Sequence, residues 1–345
     1  MNAITELPLA TLYLTERCNS RCVTCDYWRN GRIDMSLERV RGLLPSLLGL
    51  RTQVVLVSGG EPLLNPDWAA IAGMLRAHGM KLWLLTSGLS LAKHARRVVQ
   101  LFDWITVSLD GTNRTTYELI RGLDAFDAVS AGMRAVARAG APLTARVTLQ
   151  RANYRELGAF ADLAHEIGAR QVSFLAVDVA NPHAFGRTTP VLPDAALAEE
   201  DLAAFEGLLH AFERDRAEDF RSGFIAESPA KLRRILAYFA AVRGYGRYPG
   251  VQCNAPEFSA VVEADGRVRP CFFIPGPAEA PVGTDVAGAL NAGDMRELRA
   301  SIRAGTRPEC TACVCPLWRN LDAPGPLRLA PRIAPAAGVA DAHTL

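Results

Sequence analysis

Cys18, Cys22 and Cys25 stand in a C-x3-C-x2-C pattern near the N-terminus. Three thiolates this closely spaced can wrap one face of a cubane iron–sulfur cluster. Such clusters are ordinarily held by four cysteines, so a set of three leaves one iron open to a substrate or cofactor. A second group, Cys253, Cys271, Cys310, Cys313 and Cys315, lies near the other end, and no cysteine falls between Cys25 and Cys253. Scattered core cysteines would not leave that gap. In a reducing compartment, clustered cysteines more often mean metal than disulfide. Cys253 and Cys271 bracket Asp265-Gly266, a strong hairpin signal that would bring both thiols to one metal. Structural zinc takes four protein ligands. The first group has no fourth Cys or His nearby, whereas the second also fits a zinc ribbon.

A second motif follows the first cysteine loop. Ser58-Gly59-Gly60-Glu61-Pro62 ends an apolar, β-branched run. Consecutive glycines let the backbone approach a ligand closely and adopt φ/ψ values closed to other residues. Thr86-Ser87-Gly88 and Ser108-Leu109-Asp110-Gly111 close the next two runs, where strand-to-loop caps are the alternative role. Arg121 could meet a carboxylate in bidentate fashion or form a surface salt bridge. His183 sits in a loop on the expected active-site side. His78, His94 and His165 fall in or beside predicted helices. Glu227 and Ser228 precede Pro229, where an N-cap is the simplest role for Ser228. No general acid or base is assigned.

The elements that must position these residues alternate. Apolar runs at 10–15, 53–58, 81–86, 104–109, 143–149 and 171–176 read as short buried strands. Between them lie amphipathic stretches at 36–50, 67–78, 92–101, 126–139 and 154–167, with Gly79, Gly140 and Gly168 as stop signals. This is a βαβ series with a parallel sheet. Six units do not fill an eight-unit barrel, so the expected fold is α/β: a partial (β/α)6 parallel barrel with a smaller C-terminal cysteine-rich α+β hairpin domain. Residues 1–190 form the barrel and 191–248 a helical linker region with helices at 197–214 and 229–242. Residues 249–321 form the cysteine-rich domain, with strands at 258–263 and 268–273 and a helix at 294–303. Residues 322–345, rich in Pro, Ala and Gly, read as a poorly ordered tail. No internal repeat is found.

The cysteine loop after the first strand, with the Gly59–Pro62 turn one βα unit later, is similar to the signature of the radical S-adenosylmethionine (SAM) superfamily. The resemblance implies that Cys18, Cys22 and Cys25 hold a [4Fe–4S] cluster whose open iron is chelated by SAM. It also implies that Gly59, Gly60, Glu61 and Pro62 hold the methionyl amino group. Family members often contact SAM from the positions of Ser87, Ser108 and Asp110, where hydroxyls and a carboxylate suit a ribose. One departure is Thr24, where the family usually has an aromatic; Tyr27 and Trp28 follow it as candidates for the adenine contact. The C-terminal cysteines resemble the auxiliary-cluster extension called SPASM, or its shorter form, twitch. The full pattern has seven cysteines and two clusters; five here point to one auxiliary [4Fe–4S] cluster, with the spare cysteine left open.

The implied activity is reductive cleavage of SAM to a 5′-deoxyadenosyl radical, which removes a hydrogen atom from a substrate. The substrate is read first as a small molecule, sugar- or cyclitol-like or another metabolite, tailored with the help of the auxiliary cluster. Only nine residues precede the first strand, so no leader-binding domain is expected there. The alternative is modification of a peptide or protein side chain. A third, of another class, is a non-catalytic iron–sulfur or zinc protein. An external flavodoxin- or ferredoxin-like electron donor is expected. The charge is balanced, +2 from 38 basic and 36 acidic side chains, which gives no long-range pull toward nucleic acid. No run of apolar residues is long enough for a membrane span and no signal peptide is visible, so the expected location is cytoplasmic.

Overall fold

The structure is a computed structural model and describes residues 3–187, 193–277, 283–321 and 327. The expected tail at 322–345 therefore lies outside the described residues apart from Leu327, as do residues 188–192 of the loop after His183.

Six parallel strands form in the expected places: β1 (Leu9–Thr15), β2 (Val54–Gly59), β3 (Lys81–Thr86), β4 (Trp104–Ser108), β5 (Leu143–Leu149) and β6 (Gln171–Ala176). They lie side by side in chain order, each joined to the next by a helical crossover. Helices Leu37–Gly49, Trp68–Ala77, Leu91–Leu101, Phe126–Arg138 and Leu157–Ile167 cover the outer face. Alternation along each strand separates two surfaces. On β5, Leu143, Ala145, Val147 and Leu149 join the large core beneath the helices. Thr144, Arg146 and Thr148 therefore turn to the concave side. On that side Leu9, Val54, Leu56 and Trp83 make a small apolar floor, with Trp104 and Phe272 packed on it.

The hairpin signal at Asp265-Gly266 is realised as β7 (Ser259–Val262) and β8 (Val268–Arg269), with Gly266 at φ +93°. β7 pairs in parallel with β1, Leu9 opposite Ser259, so the hairpin continues the barrel sheet. The second hairpin strand is shorter than the expected 268–273. Pro270 has no N–H to donate to the ladder, so pairing stops at Arg269. At the opposite edge an isolated parallel bridge joins Val172 to Ile225. It leads into the helix Pro229–Val242, capped by Ser228, whose hydroxyl accepts from the Lys231 amide at 3.2 Å.

Several helices were not legible, among them Arg114–Arg121, Ala217–Ser222 and Val286–Asn291. Arg114–Arg121 carries a polar, β-branched start (Arg114-Thr115-Thr116), and it forms because Asn113 caps Thr116 at 3.0 Å and Gly122 closes it at φ +72°. The short helix Ala217–Ser222 follows directly on the helix Glu199–Asp215. The expected helix over 154–167 divides into a 3-10 turn, Tyr154–Glu156, and the α-helix Leu157–Ile167.

Candidate functional site

The loop that carries the first three cysteines leaves β1 at Thr15 and is stitched to the Gly59–Pro62 turn by its backbone. The Gly60 amide donates to the Thr15 carbonyl at 2.7 Å and the Glu61 amide to the Arg17 carbonyl at 2.8 Å. A Cβ on Gly60 would lie 2.2 Å from the Arg17 oxygen, and one on Gly59, at φ +119°, 2.4 Å from the Thr15 oxygen. Both positions therefore require glycine because the cysteine loop itself presses on them. The Arg17 guanidinium adds a pair of bonds to Asp34 and one to the Leu64 carbonyl. On the other side, the end of the helix Arg114–Arg121 receives the Arg21 and Val23 amides at 3.0 and 3.1 Å.

Inside this frame the thiols share a half-buried, hydrogen-bonded setting. The Ser20 amide donates to Cys18 Sγ at 3.4 Å, Ser20 Oγ lies 3.3 Å from Cys22 Sγ, and Cys25 Sγ donates to the Phe185 carbonyl at 3.4 Å. Burial pushes the Cys18 thiol up to about 11 and the Cys25 thiol up to about 12, and the neighbouring Cys22 raises both further. Cluster binding reverses that preference, because the thiolate is the ligand and a bound metal deprotonates it.

Glu61 is fully buried, and its carboxylate is turned to β3 rather than to an open face. It accepts from the Leu63 amide (3.1 Å), Thr86 Oγ1 (2.8 Å), the Ser87 amide (2.7 Å) and Ser87 Oγ (2.6 Å). It thus ties the glycine turn to the Ser87 loop, and Ser87 Oγ also reaches Asn19 in the cysteine loop at 3.4 Å. Pro62 opens a buried 3-10 turn behind it. Asp110 is likewise engaged at both oxygens: Thr148 N–H at 2.7 Å and Arg121 at 3.1 Å. Ser108, at the end of β4, is half-buried and has no side-chain bond of this kind. Arg121 forms a buried salt bridge, not a surface one. Burial pushes its guanidinium toward the neutral form, but Cys22 and Asp110 more than offset this, so it stays cationic beside the thiols. Its Nε has no hydrogen-bond partner. A cation with a free donor next to three thiols is what an anionic cluster and a carboxylate-bearing ligand require.

Tyr27 and Trp28 are not placed as a stacked pair. Tyr27 meets Tyr13 of β1 edge-on, ring centroids 6.0 Å apart, and Trp28 Nε1 donates to the Cys22 carbonyl at 3.3 Å. The four histidines have ordinary settings. His165 stacks on Phe224 and bonds Asp219, His94 packs on Trp68, His78 faces its own helix carbonyl, and His183 lies 4.0 Å from Glu309.

The five C-terminal cysteines line one small cavity of about 40 Å³, walled by Phe272, Ile274 and Leu317. Burial pushes Cys271 up to about 12 and Cys310 up to about 11, and Cys253 raises both further. Cys313 is raised well above its ordinary value by burial, then by Cys315, Cys253 and Cys271. Cys315 differs. Burial raises it, but its next neighbours are Lys231 and Arg146, both of which favour the thiolate. Among the described residues no three His, Cys, Asp or Glu side chains converge tightly enough for a single ion. Zinc needs sulfurs about 2.3 Å from one centre; a cubane spreads its ligands more widely.

The two cysteine groups meet through residues the sequence did not single out. Phe185, whose carbonyl receives Cys25 Sγ, packs edge-on against Phe273, two residues past Cys271. Phe272 packs on Tyr13 at 6.3 Å, and Asn181 Nδ2 donates to the Phe273 carbonyl at 2.7 Å. Arg187 is almost fully buried and donates to the Thr24 and Asn181 carbonyls. Phe185 holds φ +58°, a left-handed conformation unusual for a bulky residue. A loop between distant cysteine groups leaves no periodic signal, which is why none of this was legible.

The structure thus brings together a partial barrel of six parallel strands, a three-cysteine loop at their C-terminal ends and a second cysteine group. Residues 12–164 match the model of the Radical SAM superfamily. This match and the following relatives support an enzyme with SAM and a [4Fe–4S] cluster as cofactors, and the cysteine-rich C-terminus is consistent with the SPASM type of the relatives. The chain is 30% identical over 174 residues to an Fe-coproporphyrin III synthase of Methanosarcina barkeri, spanning 48% of this chain and 43% of that one. It is 25% identical over 298 residues to an AdoMet-dependent heme synthase of the same organism, 80% of each chain. It is 30% identical over 210 residues to a PqqA peptide cyclase of Streptomyces rochei, 57% of this chain and 55% of that one. The fold matches Streptococcus suis SuiB bound to S-adenosylmethionine with a TM-score of 0.67 at 12% identity, covering 91% of this chain and 74% of that one. Among the described residues no helix is long and apolar enough to cross a membrane.

Proposed function

We propose that Cys18, Cys22 and Cys25 hold the SAM-cleaving [4Fe–4S] cluster, and that four of the five C-terminal cysteines hold one auxiliary [4Fe–4S] cluster. The observation that carries the first assignment is the backbone join between the cysteine loop and the Gly59–Gly60 turn, which makes ligand loop and cofactor turn one rigid unit. When bound, these groups supply one-electron cleavage of SAM and hydrogen-atom abstraction. The protein's part is to bind, orient and exclude water. The Gly59–Pro62 backbone presents the amino-group site. Arg121 offers its free Nε to the SAM carboxylate. Ser108 stands at the strand end for the ribose, with Ser87 beside it. Glu61 and Asp110 act as positioning residues, since their oxygens are already occupied.

For the auxiliary cluster, Cys253 and Cys271, which bracket the hairpin, and Cys310 and Cys313, in a C-x2-C knuckle, are the preferred four. Cys315, which faces Lys231 and Arg146, is the spare.

The substrate reading is a small metabolite, tailored with help from the auxiliary cluster and supplied with electrons by a flavodoxin- or ferredoxin-like donor. The long match to a heme synthase, 25% identical over 80% of both chains, supports it. The peptide reading draws on the PqqA peptide cyclase relative. The test is SAM turnover by reconstituted protein under reducing, oxygen-free conditions. Formation of 5′-deoxyadenosine supports the assignment, and its absence from protein with full iron content overturns it.

A further inference from the structure

One cation in the barrel is left without a counterion. Arg146 lies on the concave face of β5, opposite Ser108 of β4 on one side and Ser173 of β6 on the other. Ser108 stands at the SAM-facing strand end, so Arg146 is one strand away from the cofactor site and points into the same lumen. It is half-buried, its Nε is fully buried, and that Nε has no hydrogen-bond partner. No carboxylate forms an ion pair with it among the described residues. Buried guanidinium groups are normally paired, because an unpaired one forfeits its hydration without compensation.

The acid beside Ser173 is already committed. Glu227 accepts from Ser173 Oγ at 2.8 Å and from the Phe174 amide at 2.6 Å, and lies 3.8 Å from Lys231 Nζ. Lys231 opens onto a cavity of about 190 Å³ between β6, the helix Pro229–Val242 and the cysteine-rich segment. Its walls include Leu175, Ile235, Tyr238 and Val314, together with Lys231 and Arg234, and no acidic side chain lines it. Leu175 is two residues along β6 from Ser173, the register partner of Arg146. Arg146 on the concave face of β5 and Lys231 at the side opening, both next to Cys315, therefore set two cations beside apolar walls.

We propose that Arg146 anchors a carboxylate of the substrate, with Lys231 as the outer cation, so that the molecule acted on is an organic acid whose apolar body fills the side opening. This rests on the SAM-cleaving reading above and names the substrate class for that site. A carboxylate fits better than a phosphate. The helix N-terminus a phosphate would use is taken by Ser228 Oγ, which accepts from the Lys231 amide at 3.2 Å. Glu227 beside it would repel a dianion.

The test is an NMR titration of reconstituted protein with SAM, using paired probes. Hexanoate against hexanamide represents a small acid, and acetyl-Gly-Glu-Gly-amide against acetyl-Gly-Gln-Gly-amide a peptide side chain. In wild type, one acid should bind about 10- to 100-fold tighter than its amide partner, the range of a charge-assisted hydrogen bond. Arg146→Met should remove that preference and Arg146→Lys should keep part of it. Preference in the first pair identifies a small acid and in the second a peptide, and either supports the site. Equal binding of acids and amides, a preference that survives in Arg146→Met, or tighter binding of inorganic phosphate overturns it. The underlying reading is judged separately: wild type whose EPR spectrum does not respond to SAM fails that reading whatever the acids do.

Discussion

Replacing Glu61 by Gln tests whether this residue is a strut rather than a cofactor contact. Its two oxygens receive the Leu63 amide on one side and the Ser87 amide and hydroxyl on the other, with Thr86 Oγ1 within 2.9 Å of both. A glutamine keeps one oxygen. Turned to satisfy Ser87, it aims its NH2 at the Leu63 N–H, a donor facing a donor in a fully buried site. Thr86 can rotate its hydroxyl to accept. The loss is therefore one buried amide left unsatisfied plus the charge assistance of the remaining bonds, about 2–4 kcal/mol together. In a chain of this size the reduced apoprotein should melt roughly 3–6 °C lower, followed by far-UV circular dichroism. SAM affinity should fall with it, because the Gly59–Gly60 backbone and the Ser87 loop lose their common anchor. A melting temperature within ~2 °C of wild type, with weakened SAM binding, would refute the strut and make Glu61 a direct ligand contact.

Gly60→Ala should abolish SAM binding in a protein that still folds, since its Cβ would sit 2.2 Å from the Arg17 carbonyl and must push the cysteine loop away; equilibrium dialysis with labelled SAM measures it. Cys315→Ala should retain wild-type iron after reconstitution, whereas Cys313→Ala should lose about four irons per chain; iron analysis separates them. Asp201 gives a pH test. Burial pushes its carboxyl up, but bonds from Tyr154 Oη (2.7 Å), the Ala198 amide (3.2 Å) and Arg155 (2.8 Å) hold it below the usual carboxylate range. A depressed value means its stabilisation is present above the ordinary carboxylate range and is lost as pH falls through the folded-state value. Asp201→Asn should thus cost about 1–3 kcal/mol at neutral pH and progressively less in urea melts at lower pH.

The barrel was legible because short apolar runs, helical stretches and glycine stops alternate along residues 10–176, and the two cysteine groups because their spacing is independent of fold. What the sequence concealed was the use of side chains. Glu61 and Asp110 read as ligand contacts, yet both are spent on neighbouring amides and hydroxyls, since a carboxylate inside a parallel sheet is stable only when its oxygens are filled. Gly59 and Gly60 read as a ligand approach; the structure shows the Thr15 and Arg17 carbonyls pressing on them. Arg146 looked like an ordinary strand residue, because its lack of a partner depends on Ser173 and Glu227, which arrive from distant parts of the chain. The helix Arg114–Arg121 was missed because its capping by Asn113 and its docking on Arg21 outweigh a weak local propensity.

The most direct test is an oxygen-free reconstitution of wild type and of the Cys18→Ala/Cys22→Ala/Cys25→Ala triple variant, with iron counted and EPR recorded before and after SAM. The account predicts two cluster signals in wild type, one of them altered by SAM, and a triple variant that keeps only the unaltered signal and forms no 5′-deoxyadenosine. A SAM-responsive signal in the triple variant would contradict the N-terminal assignment, and zinc without iron at the C-terminal cysteines would contradict the auxiliary one.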